Sequence, residues 1–327
     1  MILKDEIWIL SDERLGTISQ SIGLAEEIGI DYKIINFSYS FFAKLPNFFL
    51  SFFGLGIKRE SLEKFKNLNQ FPKLIISAGR KSALVALFLK KLSKNQSKII
   101  QIMNPNLSLK KFDFVILPKH DKVDENKFSN VISTIGSLTR INEKLIESER
   151  QKFSTWFANI NKPKIALLIG GDSKKTKFKI SSAEKLAKIS SKITNNMEAI
   201  LLVLTSPRTG KKLAKAIESN LECDFKFFDW RNLKKENPYL AILAYADFFI
   251  LSGDSVSMIS QCCSTGKPVY IFDEKKISAK KHRNFQQNLI DKNYAKKLAK
   301  NLTILENFLP KKLQETKRVA NIIKTKF

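Results

Sequence analysis

Short, mostly apolar runs recur along the chain. Each ends in small polar residues and is followed by a stretch of helical period. Residues 7–10, 32–37, 74–76, 99–102 and 112–117 read as strands, and an uncharged run such as 248–251 reads as a buried parallel one. Residues 18–28, 83–91 and 137–152 carry helical periodicity, and 130–136 reads as a turn. After 153–163 the pattern restarts, with strands at 164–169, 199–204, 223–228, 248–251 and 269–272. Helices are expected at 181–194, 210–219, 239–246 and 256–264, and 279–327 reads as a Lys-rich helical tail. Strict alternation implies parallel sheets and an α/β class, in two Rossmann-like domains over 1–152 and 153–327. Two such domains would face each other across a cleft lined by strand ends, with the terminal helices packing back on the first.

The polar strand ends hold the candidate chemistry, because ligands of open α/β sheets bind at the carboxyl edge of the strands. Residues 248–272 form one such unit. An apolar strand runs into Ser252-Gly253-Asp254-Ser255, then a helix, then a Gly266/Pro268 stop and the next strand. Asp254 and Ser255 are good helix caps, and a helix start also suits a phosphate; both readings stand at this point. Gly79-Arg80-Lys81-Ser82 places cations at a helix N-terminus, where they oppose the dipole unless an anion lies between them. Arg14 stands beside an earlier helix start as an anion contact or a surface residue. His120 follows a strand and neighbours Asp121, the arrangement of a general base with its acid or simply of an exposed loop.

Charge and composition narrow the partners. The net charge is +26 and the pI about 9.8, which suits nucleic acid or an anionic membrane. The cations are nearly all Lys, however, and no zinc-finger, basic-zipper or RNA-binding signature occurs, which argues against nucleic acid. Cys223, Cys262 and Cys263 form no disulfide framework, as expected of a reducing, cytoplasmic compartment. His120 and His282 lie far apart in sequence, so no metal site is expected. Asp5 and Glu6 stand where the apolar core of a signal peptide would begin. There is no GxGxxG or GxSxG. Ser264-Thr265-Gly266-Lys267 approaches a P-loop, but Gln261 and Pro268 depart from it.

Residues 37–57 hold eight aromatic rings flanked by Lys44, Lys58 and Arg59. They either fill the core of the first domain or form an apolar, cation-edged face for a membrane.

Several pieces together resemble one family. They are Trp8-Ile9-Leu10-Ser11-Asp12 with Gly16 and Gln20, Gly79-Arg80-Lys81-Ser82, Gln101 with Asn104-Pro105, and Pro118-Lys119-His120-Asp121. In the second half they are Leu168-Ile169-Gly170-Gly171-Asp172-Ser173, Thr205-Ser206-Pro207-Arg208-Thr209, Asn237-Pro238-Tyr239, Asp254-Ser255-Val256-Ser257-Met258 and Thr265-Gly266-Lys267-Pro268-Val269. The sequence resembles the "elongated mitochondria" family of mitochondrial-fission proteins, shared by plants and alphaproteobacteria, over nearly its whole length.

The resemblance implies a glycosyltransferase-B-like fold that binds a nucleotide-sugar donor. Gly171, Asp172, Ser173, Ser206 and Arg208 would take the diphosphate, Asp254, Ser255 and Ser257 a helix start, and Gln261 the ribose. Gln261 stands where the family usually has Glu, so a role that needs charge is in doubt. The acceptor would lie near Asp12, Arg14, Arg80, Ser82, Asn104 and His120, at or near the inner membrane. No cofactor or metal is implied, since helix dipoles and cations balance a leaving diphosphate. The alternative is a non-catalytic adaptor for a protein or membrane partner, as the plant protein's recruitment of a dynamin-related partner implies.

Overall fold

The structure is a computed structural model and describes residues 6–12, 15–44, 50, 56–121, 123–124, 127–173, 176–233, 236–274 and 277–326. The chain divides into two compact units, Met1–Arg140 with Gln314–Phe327, and Ile141–Leu313. Among the described residues each holds one six-stranded sheet, and every pairing within the two sheets is parallel.

The first unit begins β1 (Ile7–Ser11), α1 (Leu15–Ile28), β2 (Tyr32–Asn36), α2 (Arg59–Lys66), β3 (Leu74–Ala78), α3 (Arg80–Leu92). It continues with β4 (Lys98–Ile102), β5 (Phe114–Pro118) and β6 (Val131–Thr134), in sheet order β2-β1-β3-β4-β5-β6. Strand alternation feeds two cores. Ile7 and Ile9 pack with Leu24 on one face, while Trp8 and Leu10 pack with Val85 and Leu89 on the other. The expected turn at 130–136 is instead β6. Its Val131 and Ile132 are apolar enough to close the sheet's far edge against β5.

The second unit holds α4 (Glu143–Lys152), α5 (Ser154–Phe157), β7 (Lys164–Leu168), α6 (Ile180–Asn196), β8 (Ile200–Leu204), α7 (Lys211–Glu218) and β9 (Phe225–Phe228). Then follow α8 (Tyr239–Tyr245), β10 (Phe248–Ser252), α9 (Val256–Thr265), β11 (Val269–Phe272), α10 (Lys280–Asp291) and β12 (Lys296–Lys297). The sheet order is β12-β11-β10-β7-β8-β9. Numbered from its own first strand, that is the 3-2-1-4-5-6 order of dinucleotide-binding folds, whereas the first unit starts 2-1-3 as flavodoxin-like sheets do. The two sheets therefore change direction at different places: between β1 and β3 in the first unit, and between β7 and β10 in the second.

The division falls after Arg140, not after Lys152, because α4 packs on α8 of the second unit. The helix expected from 137 starts only at Glu143, where Asn142 accepts the Leu145 N–H at 2.8 Å as a helix cap. The tail is not one helical run. After β12 it is largely irregular until α11 (Glu315–Lys326), which belongs to the first unit. There Val319, Ala320 and Ile323 join the core of β1 and α1, Thr316 exchanges two 2.8 Å hydrogen bonds with Thr139, and the Glu315 carboxylate accepts the Ile135 N–H. No helix among the described residues is long and apolar enough to cross a membrane.

Lys267, in the stretch that approached a P-loop, has a structural task. Its ammonium donates to the carbonyls of Leu243, Ala244 and Ala246 at 3.2, 2.7 and 2.6 Å, closing the C-terminal end of α8. Burial, helped by the charge of Arg150, lowers its pKa to about 8.

Two outcomes test this packing. Ile323→Ala should lower the stability of the first unit by about 2–5 kcal/mol, read as a shift of the urea midpoint, because a buried aliphatic side chain leaves a cavity. Lys267→Met should lower that of the second unit by roughly 2–3 kcal/mol at pH 7, since buried acceptors lose their donor. The folded state holds the Lys267 proton less tightly than the unfolded chain does. Wild-type melting temperature should therefore rise relative to Lys267→Met between pH 8 and the ordinary lysine range, about 10.4.

Candidate functional site

The change of direction in the second sheet brings the loops after β7 and β10 side by side, with the loop after β8 next to them. Their side chains lace the three together. The Ser252 hydroxyl accepts the Gly170 N–H and donates to Asp254 Oδ1, each at 2.7 Å. Asp254 Oδ2 accepts the Gly171 N–H at 3.0 Å and pairs with Arg208 Nη2 at 2.7 Å. Arg208 also reaches the Gly171 carbonyl at 3.4 Å, and its own carbonyl accepts the Asp172 N–H at 3.2 Å. Ser206 donates to the Gly170 carbonyl at 2.8 Å, and the buried Thr209 hydroxyl donates to the same oxygen.

Both glycines are required here. A Cβ on Gly170 would stand 2.1 Å from Asp254 Oδ2, and one on Gly171 equally close to the Arg208 carbonyl oxygen. The result is a rigid floor on which Arg208, 38% exposed, is held by a carboxylate that is 1% exposed.

Beside this floor α9 begins. Its N-cap residue, Ser255, makes no side-chain hydrogen bond to the helix, so the first-turn N–H groups are not satisfied by that hydroxyl. Ser255 and Ser257 are half-buried on the same turn. The arrangement can hold an anion between a helix start, a guanidinium and small hydroxyls.

The other residues expected here act differently. Asp254 is a brace rather than a ligand contact, because it is buried and both its oxygens are used by the protein. Asp172 is turned into its own loop: Lys177 at 2.8 Å, and then the Phe178 N–H at 2.9 Å, hold its carboxyl below the usual carboxylate range. Ser173 closes a turn with Thr176, hydroxyl to hydroxyl at 2.7 Å. Gln261 accepts the Tyr239 hydroxyl, so its carbonyl oxygen is held within the second unit.

In the first unit, the change of direction between β1 and β3 lies at Asp12 and at Gly79-Arg80. Asp12 accepts the Tyr39 hydroxyl at 3.1 Å, Lys81 sits over the Tyr39 ring at 4.6 Å, and Arg80 donates to the Ala43 carbonyl at 3.1 Å. Arg14 lies outside the described residues. Ser82 is buried and donates to the Ala78 carbonyl at 2.6 Å, which takes it out of any substrate contact. Asn104 accepts the Asn106 N–H at 2.8 Å, an Asx turn after β4. His120 and Asp121 stand in a single 3₁₀ turn, Lys119–Asp121, after β5. That is two strands beyond β3 and three beyond β1, roughly 10 Å along the sheet from the Arg80 loop and about 14 Å from the Asp12 loop. Gln101 is the hidden support of the region. Fully buried in β4, it accepts from Ser77 at 2.6 Å and donates to the carbonyls of Gly79, Ile102 and Met103.

Sequence reasoning passed over His282 and Gln286 of α10. Gln286 is buried and donates to the Gly253 carbonyl at 2.5 Å and to Ser278 at 3.1 Å. One turn earlier on the same helix His282 is half-buried, and burial, then the charge of Lys281, holds its pKa below the ordinary histidine value. No distinguishing signal was available, since Arg283/Gln287 and Asn284/Asn288 of the same helix are also polar pairs at a spacing of four.

Comparison with known proteins agrees with this architecture. The chain is 33% identical to the protein RP120 of Rickettsia prowazekii over 97% of both chains. It is 28% identical to the mitochondrial fission protein ELM1 of Arabidopsis thaliana over 66% of this chain and 54% of that protein. Among solved structures, UDP-GlcNAc 2-epimerase of Methanocaldococcus jannaschii, in complex with UDP-GlcNAc and UDP, superposes with a TM-score of 0.50 at 12% identity over 98% of this chain and 99% of that one. The glycosyltransferase SnogD of Streptomyces nogalater also gives 0.50, at 11% identity over 97% and 92%. These likenesses show a glycosyltransferase-B fold of two Rossmann-like halves. Residues 16–327 match the family model described as mitochondrial fission ELM1, and the chain belongs to that family.

Proposed function

We propose that the second unit binds the diphosphate of a nucleotide-sugar at the loops after β7, β8 and β10, and that the protein transfers the sugar to an acceptor carried by the first unit. The observation that supports this reading best is Arg208, held by a buried carboxylate at the sheet's change of direction and beside the uncapped start of α9. That edge is where ligands of such sheets sit. A structure of the same fold is described in complex with UDP-GlcNAc and UDP.

As the bond to the sugar breaks, negative charge builds on the departing diphosphate. Arg208 and the first-turn N–H groups of α9 would stabilise it without having to reorganise, because the Asp254 lacing already fixes them. Ser255 and Ser257 would add hydrogen bonds to phosphate oxygens. On the acceptor side Asp12 and Arg80 are the candidate contacts. His120 is the candidate base, with Asp121 beside it, and would have to be reached by an acceptor extending across the ends of β4 and β5.

A second reading has its own support. Phe41 and Phe42, in the 3₁₀ turn Phe41–Lys44, are 79% and 52% exposed. Phe48, Phe49, Phe52 and Phe53 lie outside the described residues. Exposed rings on a chain of net charge +26 suit an adaptor resting on an anionic membrane surface.

A thermal-shift screen of uridine, guanosine, adenosine and cytidine diphosphate sugars separates the two, since a specific ligand raises the melting temperature by mass action. One nucleotide class should stand out, and no response to any would abandon the enzyme reading. For that ligand Arg208→Gln should weaken binding roughly 10- to 100-fold, the loss of a charged hydrogen bond. Ser255→Ala should weaken binding while leaving the melting temperature of the free protein unchanged, because the hydroxyl does not cap α9. Were it a cap, the loss would be about 1 kcal/mol. For the adaptor, Phe41→Ser/Phe42→Ser should stay folded and lose sedimentation with anionic liposomes. Equal sedimentation of variant and wild type would remove the rings from the argument.

A further inference from the structure

We propose that Gln286 is a positioning residue of the anion site: it locks the Gly253–Asp254 peptide so that the Asp254 N–H faces the Arg208 side and donates to a bound oxyanion. The inference rests on the reading of that site as a phosphate site.

Its geometric basis is the grip on Gly253. Gln286 is 4% exposed, on a helix seated by the buried Phe285 and Leu289. Its amide nitrogen donates to the Gly253 carbonyl at 2.5 Å and to the Ser278 hydroxyl at 3.1 Å, which uses both of its hydrogens. The Gly253 N–H donates in turn to the Phe272 carbonyl at 2.9 Å. Gly253 is thus held at both ends, and a Cβ there would stand 2.7 Å from Gln286 Nε2. All three partners lie on one side of β10: Phe272 ends β11, and Ser278 and Gln286 follow it in the chain.

A planar trans peptide points its C=O and its N–H in opposite directions. The Gly253 carbonyl faces the β11 side, so the N–H of the same peptide, that of Asp254, leaves toward the β7 side. In the sheet order β11-β10-β7-β8 that is where Gly171 and Arg208 stand, and the Asp254 carboxylate already spans to both. The Asp254 N–H makes no hydrogen bond among the described residues, although its residue is buried. A donor so placed gains by meeting a ligand oxygen. Gly253 and Asp254 form the turn between β10 and α9, and the peptide joining two central turn residues is the one whose flip converts one turn type into another. Flipped, it would turn a carbonyl oxygen toward the anion instead of an N–H. Gln286 opposes that flip, because its donor would lose the Gly253 carbonyl. The N–H is therefore oriented before any ligand arrives.

The chain has two Gly–Asp bonds, Gly171–Asp172 and Gly253–Asp254. Isotope labels at the glycine carbonyl carbon and the aspartate nitrogen therefore make only those two amides visible in a carbonyl-correlated NMR spectrum of the full-length protein. Inorganic pyrophosphate is the probe, and sodium chloride of equal ionic strength controls for screening. The Asp254 amide proton should move downfield as pyrophosphate binds. That of Asp172 should move less, because it already donates to the Arg208 carbonyl at 3.2 Å. Gln286→Met should abolish the Asp254 shift and weaken pyrophosphate binding roughly 10-fold, the loss of a hydrogen bond to a charged group. Leu289→Ala, which loosens the same helix, should lower the melting temperature and keep the shift. An Asp254 amide that stays put in the wild type while pyrophosphate raises the melting temperature would overturn the proposal and leave the anion site standing; this arm decides even if Gln286→Met does not fold. Undiminished binding by Gln286→Met, or loss of the shift in Leu289→Ala as well, would overturn it too. If pyrophosphate moves neither amide and leaves the melting temperature unchanged, the anion site falls and the proposal with it. If the Asp254 amide responds and no nucleotide-sugar binds, the peptide's part stands and the sugar-transfer reading falls.

Discussion

The second unit depends on one buried carboxylate. Asp254 is removed from water, a position that an ionised group tolerates only when it is paired and hydrogen-bonded. It meets that condition by drawing in Arg208, the Gly171 N–H and the Ser252 hydroxyl. Each partner belongs to a different loop or strand end, so satisfying one side chain fixes the floor of the site. Two glycines follow from the same constraint, because any side chain at Gly170 or Gly171 would occupy space that the lacing already fills. Exchanging this network for apolar packing would forfeit a guanidinium held in place without the ligand's help. That pre-positioning is what an electrostatic role in group transfer requires.

The first unit is supported differently. Its strand-end loops are braced from beneath by an uncharged amide, Gln101, whose oxygen and nitrogen serve four partners in and around β3 and β4. The two halves thus share a fold class but not a strand order or a bracing chemistry. The flavodoxin-like order of one and the dinucleotide-fold order of the other place their ligand edges at different strand pairs.

Much of the fold was legible because parallel strands buried on both faces must be apolar throughout, as 7–10, 74–76 and 165–168 are. Failures came where that rule is diluted. β6 is four residues long and half of it is Ser and Thr, so it looked like a turn. The start of α4 was placed too early because the cap at Asn142 is visible only once its bond to Leu145 is seen. Strand order cannot be read from a single alternating pattern, and so neither can the pair of loops that meet. The site was legible as a set of loops and not as a set of roles. Asp254 has the same sequence signature whether it caps a helix, touches a ligand or braces a loop. Only its burial separates these. Gln261 likewise has the sequence signature of a ligand contact, and its carbonyl oxygen is held by Tyr239 of α8; Lys267, in the stretch that departed from a P-loop, closes the terminal carbonyls of that helix.

The placement of α11 bears on how the protein is made. The core over β1 and α1 needs Val319, Ala320 and Ile323, which emerge from the ribosome only after the whole second unit, residues 141–313. At common elongation rates that interval is roughly 10–35 s. During it the sheet face beneath Ile7, Ile9 and Leu24 lacks its final cover. The first-synthesised half is therefore the last to be finished, and the second half can complete its own core while the first still exposes apolar surface. A nascent chain with this topology presents a chaperone substrate for seconds, and that interval lengthens with every residue inserted between Arg140 and Gln314.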